Sequence, residues 1–243
     1  MRELIAKGEW PQDEYYLRAS YQTAGRGQTG NGWESAPDKN LLCSILVKTQ
    51  KIKEISPFYL NVAVSVAIHK VIESYIVEQS ELTIKWPNDI YWQDKKMAGI
   101  LVETAIIGGE LKYAIAGIGL NVNQTEFISD APNPISLKQI TGREYEPDEL
   151  MQQLYAELQK ELSDTSLQTS VWEYYRAHLY RREGFWPFVE REVNTRPTMN
   201  ASASAKGQFM ARIKDVLPSG EIVLEDRKEK TRTYHFKQVR YVI

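Results

Sequence analysis

The chain has 243 residues, 42% hydrophobic and 26% charged, and its 30 Lys and Arg residues nearly balance its 32 Asp and Glu residues. These values suit a globular protein with one large core or a main domain plus a small one, and they disfavour a protein that acts mainly on DNA. The apolar runs are too short to cross a membrane, no signal peptide opens the sequence, and the single cysteine, Cys43, excludes an internal disulfide, so we expect a cytoplasmic protein.

The hydrophobic pattern predicts both strands and helices over residues 1–184. Strands are predicted where apolar residues cluster between turn signals, at residues 17–22, 41–48, 83–86, 89–93, 98–106 and 112–119. One helix is capped by Ser56 and opened by Pro57, and its apolar residues recur at helical spacing as far as Tyr75. Two more helices are predicted at 147–162 and 167–180.

After Gly184 the pattern changes to strands alone. Strands are predicted at residues 209–216, 221–225 and 232–242, with a Pro-Ser-Gly turn at 218–220. Roughly fifty-five residues of β structure are enough for a small barrel but too few for a catalytic platform. We therefore predict a main domain at 1–184 and a small C-terminal β-barrel at 185–243.

Two segments carry chemistry. The sequence AGRGQTGNGW at residues 24–33 is a glycine-rich loop, whose backbone amides and arginine suit an anion. It matches neither the Walker loop nor the dinucleotide-binding fingerprint. The second segment is KWPNDIYW at 85–92, followed by KKMAGILVE at 95–103, where a lysine lies on a short strand next to polar residues.

Together these segments resemble the catalytic core of the biotin–protein ligase family. GRGQxGxxW, KWPND, KxAGIL and the GIGLNVN run at 117–123 occur in the family's order and spacing. The resemblance implies an α+β fold with a mixed sheet, helices on one side of it, and a small SH3-like C-terminal barrel. It also implies a reaction in which biotin and Mg–ATP form biotinyl-5′-adenylate, and a lysine on a biotin carboxyl-carrier domain then takes the biotinyl group.

This chemistry joins two anions, so it needs fixed positive charge more than a protein nucleophile. The resemblance assigns that charge to Lys85 and Arg26, which are the expected catalytic residues. By the same resemblance, biotin contacts Gln22, Gly25, Arg26, Gly27, Gln28, Lys85, Gly117 and Gly119. ATP contacts Arg26, Trp33, Lys85 and Asn121, and Asn121 is also the candidate side chain near Mg²⁺.

The chain departs from the family pattern in two places. Many relatives have a basic residue where Gln28 stands, so less charge is available here for the intermediate. The family's Ser-Thr-Asn turn, which contacts the ureido ring of biotin, has no counterpart, and residues 1–7 look like the interior of a helix. We therefore expect this chain to bind biotin about 10- to 1,000-fold more weakly than a version extended upstream.

Two other interpretations stay open. A lipoate ligase or octanoyltransferase shares the superfamily fold, but residues 24–33 do not fit its RRxxGGGxxxxD pattern. A relative that binds biotin or the carrier protein without catalysis is the second alternative. The resemblance supplies no DNA-binding helix-turn-helix, so we expect no DNA partner. It leaves the acceptor carboxylase unidentified and does not decide whether the protein forms a homodimer.

Overall fold

The computed structural model describes residues 1, 4–5, 7, 15–27, 32–48, 56–108, 110–129, 133–163, 165–191 and 205–243. It divides the chain into two compact units, Met1–Tyr175 and Arg176–Ile243. The helix expected at residues 1–7 lies partly outside the described residues; within them, the Ile5 amide donates to the Met1 carbonyl at 3.1 Å. No helix among the described residues is long and apolar enough to cross a membrane.

The first unit contains a six-stranded sheet. In chain order its strands are β1 (Tyr15–Ala19), β2 (Leu41–Lys48), β3 (Leu82–Lys85), β4 (Asp89–Trp92), β5 (Lys95–Ile107) and β6 (Glu110–Leu120). Their order across the sheet is β1-β2-β6-β5-β4-β3. Neighbouring strands pair antiparallel, and among the described residues parallel pairing is limited to an isolated bridge between Lys96 and Pro134. All six predicted strands are present, and β2 lies inside the sheet as its apolar sequence requires.

Four helices are described: α1 (Pro57–Glu73), α2 (Leu137–Thr141), α3 (Pro147–Ser163) and α4 (Gln168–Ala177). The Ser56 hydroxyl accepts a hydrogen bond from the Tyr59 amide at 3.1 Å, which confirms the predicted cap of α1. The short helix α2 was not predicted.

Helices α1 and α3 pack on one another; α1 also contacts β3, β4 and β5, and α3 contacts β2. Ile68 of α1 and Leu150 of α3 meet Leu120 of β6 in a shared core. This arrangement confirms the expected layer of helices against the sheet. Since successive strand residues point to opposite faces, Gly119, the neighbour of Leu120, faces away from that core.

The second unit is a five-stranded antiparallel sheet. Its strands are β7 (Trp186–Arg191), β8 (Ala205–Val216), β9 (Ile222–Asp226), β10 (Thr231–Tyr234) and β11 (Val239–Tyr241), in the order β10-β9-β8-β7-β11. Phe188, Ile213 and Leu224 are buried in its core. The predicted α+β fold with a small C-terminal β unit is confirmed, but the described strands of the first unit pair antiparallel, whereas the resemblance implied a mixed sheet.

The last predicted strand, at residues 232–242, is wrong as a single element. A turn separates β10 from β11, and Lys237 in that turn has a φ of 72°, a left-handed conformation that no strand contains. The domain boundary expected between residues 184 and 185 stays a prediction.

Candidate active site

Two paired glycines form a flat strip on the sheet face that points away from the helices. Gly99 of β5 and Gly119 of β6 are directly opposite one another in the strand register. Gly117 lies two residues earlier on β6 and points to the same face as Gly119. We call the Gly99–Gly119 pair the glycine floor. Because neither residue has a side chain, a planar group can approach the backbone closely there.

The indole of Trp33 lies on this floor. A Cβ atom added at Gly119 would be 2.6 Å from Trp33 Nε1 and 2.8 Å from its Cζ2, and one added at Gly99 would be 2.9 Å from its Cζ3. Such distances are far below van der Waals contact, so alanine at either position would force the indole to move. The Nε1–H group of Trp33 is buried and has no hydrogen-bond partner among the described residues.

The glycine-rich loop closes back on itself next to the indole. The Trp33 amide donates to the Gly25 carbonyl at 3.0 Å, and Arg26 and Gly32 form an antiparallel bridge. A Cβ at Gly25 would be 2.9 Å from Gln22 Oε1 and closer still to the Trp33 carbonyl oxygen. The need for glycine at position 25 is therefore steric. Gln28 lies outside the described residues.

Lys85 is held at the end of β3, where it pairs in register with Asp89 of β4. Its ammonium donates to the Tyr91 hydroxyl at 3.0 Å and lies 4.5 Å from the centre of the Tyr91 ring. Asp89 forms a 2.8 Å ion pair with Lys96, whose ammonium lies 5.9 Å from the centre of the Trp33 ring. A continuous series of contacts thus leads from the expected catalytic lysine to the glycine floor.

Arg26 and Gln22 are exposed, and Gly27 is half-buried. Of the two expected catalytic residues, Arg26 lies on the glycine-rich loop and Lys85 at the end of β3. Asn88, a polar neighbour of Lys85 in the sequence, is 2% exposed, and its amide donates to Asn61 of α1 at 2.7 Å. Asn88 therefore fastens the segment after Lys85 to a core helix.

Asn121 directly follows β6 and is 3% exposed. Its side-chain amide donates to the Ile135 carbonyl at 3.2 Å, while its backbone amide donates to the Met97 carbonyl at 3.0 Å. Among the described residues, no group of three or more His, Cys, Asp or Glu side chains could hold a metal ion. The chain itself therefore offers no acidic metal cage in this part.

Two further residues of this region were not predicted as functional. Lys96 approaches the floor, since its Cε and Nζ would both be 3.3 Å from a Cβ at Gly99. Glu34, next to Trp33, accepts hydrogen bonds from the amides of Ile128 at 3.0 Å and Ser129 at 2.7 Å, and from Gln124 Nε2 at 3.1 Å. Lys96 begins the KxAGIL motif, but the motif assigned it no role, and no sequence pattern marks Glu34, whose contacts come from distant segments.

The environment of Glu34 shifts its titration. Partial burial acts to raise the pKa of the Glu34 carboxyl, but the hydrogen bonds from Ser129, Ile128 and Gln124 outweigh burial and lower it.

The single cysteine is shifted in the opposite direction. Burial raises the pKa of the Cys43 thiol to about 12, against a smaller lowering effect of Arg18. Cys43 is a buried free thiol and is unsuited to nucleophilic chemistry.

Comparison with known proteins shows what this chain is similar to. Residues 2–121 match the model of the Biotin/lipoate A/B protein ligase family. The biotin--[acetyl-CoA-carboxylase] ligase of Mycobacterium tuberculosis is 34% identical over 113 residues, 46% of this chain and 41% of that protein. The bifunctional ligase/repressor BirA of Bacillus spizizenii is 31% identical over 151 residues, 60% of this chain and 45% of that protein. The matched part spans less than half the length of each of these two relatives.

The fold is also that of a solved structure. The biotin protein ligase from Aquifex aeolicus, in complex with biotin and ATP, superposes with a TM-score of 0.70 at 20% identity. The superposition covers 99% of this chain and 94% of that one. It includes the small β unit as well as the six-stranded sheet.

Proposed function

Because residues 2–121 match the model of the Biotin/lipoate A/B protein ligase family, we propose that this chain is an ATP-dependent biotin–protein ligase. In the first step a carboxylate oxygen of biotin attacks the α-phosphorus of ATP, and pyrophosphate leaves. In the second step the amine of an acceptor lysine attacks the acyl carbon of biotinyl-5′-adenylate. AMP leaves, the lysine nitrogen loses a proton, and an amide is formed.

The observation that carries this proposal is the glycine floor closed by Trp33. A strip without side chains, covered by an aromatic ring and bordered by a glycine-rich loop, suits a ligand with flat rings and an anionic centre. The buried Nε1–H of Trp33 lacks a partner among the described residues, and such a group costs about 1–3 kcal/mol. An acceptor atom on a bound ligand, or a shift of the indole when the ligand enters, would remove that cost.

The roles of the residues follow from their places around the floor. Lys85 and Arg26 supply the positive charge that lets the two anions meet. Biotin contacts Lys85 and Arg26 as well as positions of the loop and of β6, which are Gln22, Gly25, Gly27, Gln28, Gly117 and Gly119. ATP contacts both cations, Lys85 and Arg26, and also contacts Trp33 and Asn121.

Magnesium accompanies the nucleotide in this proposal. Mg²⁺ is commonly held by substrate phosphates together with one or two protein groups. The described residues fit this mode, because they include no group of three or more His, Cys, Asp or Glu side chains that could hold the ion without the phosphates. The side-chain nitrogen of Asn121 donates to the Ile135 carbonyl, so only its side-chain oxygen could serve as a protein ligand. The ion would neutralise phosphate charge while Lys85 and Arg26 orient the reacting oxygens.

The proposed acceptor is a lysine on the biotin carboxyl-carrier domain of a carboxylase, as the name of the Mycobacterium tuberculosis relative suggests. A cytoplasmic location and the lack of a DNA partner remain expectations from the sequence, which leaves open whether the protein forms a homodimer.

Pyrophosphate release by the purified chain tests the activity directly. We expect release to require both ATP and biotin, and labelled biotin to become attached to a carrier domain but not to its Lys→Arg variant. Lipoate and octanoate serve as matched acyl controls, since the family name covers lipoate ligases as well. Release with lipoate instead of biotin would replace the proposal by a lipoate ligase. Biotin binding without release would replace it by a non-catalytic binder.

A further inference from the structure

The ammonium group of Lys96 lies at the edge of the glycine floor. Its Nζ and Cε would both be 3.3 Å from a Cβ at Gly99, and its Nζ is 5.9 Å from the centre of the Trp33 ring. Gly99 and Trp33 belong to segments more than sixty residues apart in the sequence. The position of the Lys96 ammonium therefore depends on folding, which brings these two segments together.

The backbone holds Lys96 in place. Its amide donates to the Asn133 carbonyl at 2.8 Å, and its carbonyl accepts from the Ile135 amide at 3.0 Å. The side chain remains 31% exposed, while its ion-pair partner Asp89 is 27% exposed. A ligand that enters from solvent can thus reach a cation whose backbone position is fixed on both sides.

We propose that Lys96 binds an anionic phosphate oxygen of the nucleotide and is a third cation of the active site. This inference rests on the proposed ligase function and adds a residue to it. Lys85 and Arg26 are the cations expected from the sequence, and Gln28 is neutral where many relatives are basic. Lys96 supplies positive charge beside the indole that is expected to contact ATP.

The surroundings favour the nucleotide over biotin as the ligand of Lys96. An ammonium beside an aromatic ring suits a molecule that combines a flat base with several phosphate charges, and ATP has both. Biotin has one carboxylate, which Lys85 and Arg26 already serve. Without a ligand, Asp89 neutralises Lys96, and a partly exposed ion pair of this kind contributes little to stability.

A pair of lysine variants tests this assignment. Lys96→Met keeps the length of the side chain and removes its charge, whereas Lys96→Arg keeps the charge. Lys95→Met is the matched control, because Lys95 is adjacent, exposed and on the same strand. KM values for ATP and biotin would be measured by biotin-dependent pyrophosphate release, and Mg–ATP affinity by calorimetry. Thermal unfolding would establish that each variant is folded.

We expect Lys96→Met to raise the KM and the dissociation constant for ATP about 10- to 100-fold, the usual loss for one charge-assisted hydrogen bond. The KM for biotin should stay within about threefold, Lys96→Arg should recover part of the ATP affinity, and Lys95→Met should match the wild type. Unchanged ATP affinity in a folded Lys96→Met protein, or a loss confined to biotin, would overturn the inference. If the wild type released no pyrophosphate, the proposed function would fail, and Mg–ATP calorimetry on the same variants would still decide the role of Lys96.

Discussion

Lys85 and Arg26 are held in different ways. Lys85 is fixed by the Tyr91 hydroxyl and ring at the end of a core strand, whereas Arg26 is exposed on the glycine-rich loop. A fixed ammonium is a preorganised charge and needs little rearrangement when substrates bind.

Removal of either cation should nearly abolish adenylate formation. We expect Lys85→Ala and Arg26→Ala each to lower its rate about 10²- to 10³-fold, because one lost preorganised charge costs about 3–4 kcal/mol of barrier. Lys85→Arg should also fail, since a planar fork does not reproduce a point charge. Lys112→Ala, which removes an exposed lysine paired with Glu110, is the control. Near-normal biotin-dependent pyrophosphate release by Lys85→Ala would refute its catalytic role.

Gly119 and Gly117 should differ in their tolerance of a methyl group. Alanine at 119 would collide with the Trp33 indole, while a Cβ at 117 would be 3.5 Å from the Leu101 carbonyl oxygen, an ordinary contact. We expect Gly119→Ala to destabilise the fold by about 1–3 kcal/mol, as overpacking does, and Gly117→Ala to have little effect. Urea unfolding measures both. Trp33→Ala combined with Gly119→Ala should recover stability, and a purely additive loss would show that the collision is not the cause.

Several site residues could be predicted from the sequence, and others could not. Each motif is a local run of residues and can be found in the sequence. The glycine-rich loop, Trp33 and Gly119 come from such motifs, and the structure brings them into contact. The sequence placed Lys96 in the KxAGIL motif without a role and did not indicate Glu34, because the contacts of both come from segments that meet only in the folded chain. For Asn121 the structure reveals a buried amide bonded to Ile135, which the motif alone does not imply.

At the scale of elements, Glu34 links two irregular segments. It follows Trp33 and accepts from the amides of Ile128 and Ser129, while Gln124 Oε1 accepts from the Ala36 amide at 2.9 Å and from Asn40 Nδ2 at 2.6 Å. These contacts join the segment after the glycine-rich loop to the segment after β6.

Glu34→Gln should therefore lower stability in a pH-dependent manner. Because the folded-state pKa of Glu34 lies below its ordinary value near 4.5, the carboxylate stabilises the fold above that pH, and the benefit is lost as pH falls through the folded-state pKa. We expect the wild type to be more stable than Glu34→Gln at pH 7 and the difference to shrink below pH 4.5. Urea unfolding of both proteins at several pH values measures it. A difference that is constant with pH would exclude the carboxylate as its source.

Helix α3 provides a matched pair of leucines. The sequence predicts a row of leucines on this helix, and Leu158 is fully buried, while Leu162, one turn later, is only half-buried. Leu158→Ala should lower the free energy of unfolding by about 2–5 kcal/mol, and Leu162→Ala should cost clearly less. Equal losses in chemical unfolding would mean that the end of α3 packs as tightly as its centre.

Long periodic elements could be predicted from the sequence, and short or polar ones could not. Helix α1 has a cap, an initial proline and apolar residues at helical spacing, so its bounds were expected. Helix α2 has five residues, too few for a period, and is stabilised by a capping box between Ser136 and Gln139. Strand β7 contains Pro187 and ends in Glu190 and Arg191, so its alternation is weak and it was missed.

At the scale of the whole molecule, the chain consists of two compact units with different architecture. The first unit combines a sheet with helices and contains every residue to which a catalytic or binding role is assigned. The second unit is a small antiparallel sheet with its own buried core. Its role in catalysis cannot be predicted from the sequence, because no chemical motif falls within it.

The central claim, that this chain activates biotin as an adenylate, is tested most directly by exchange of labelled pyrophosphate into ATP. The account predicts exchange that depends on biotin, is not supported by lipoate, and is lost in Lys85→Ala. Because exchange reports only the first step, it requires no knowledge of the acceptor carboxylase. Exchange that proceeds equally without biotin, or that persists in a folded Lys85→Ala protein, would contradict the account.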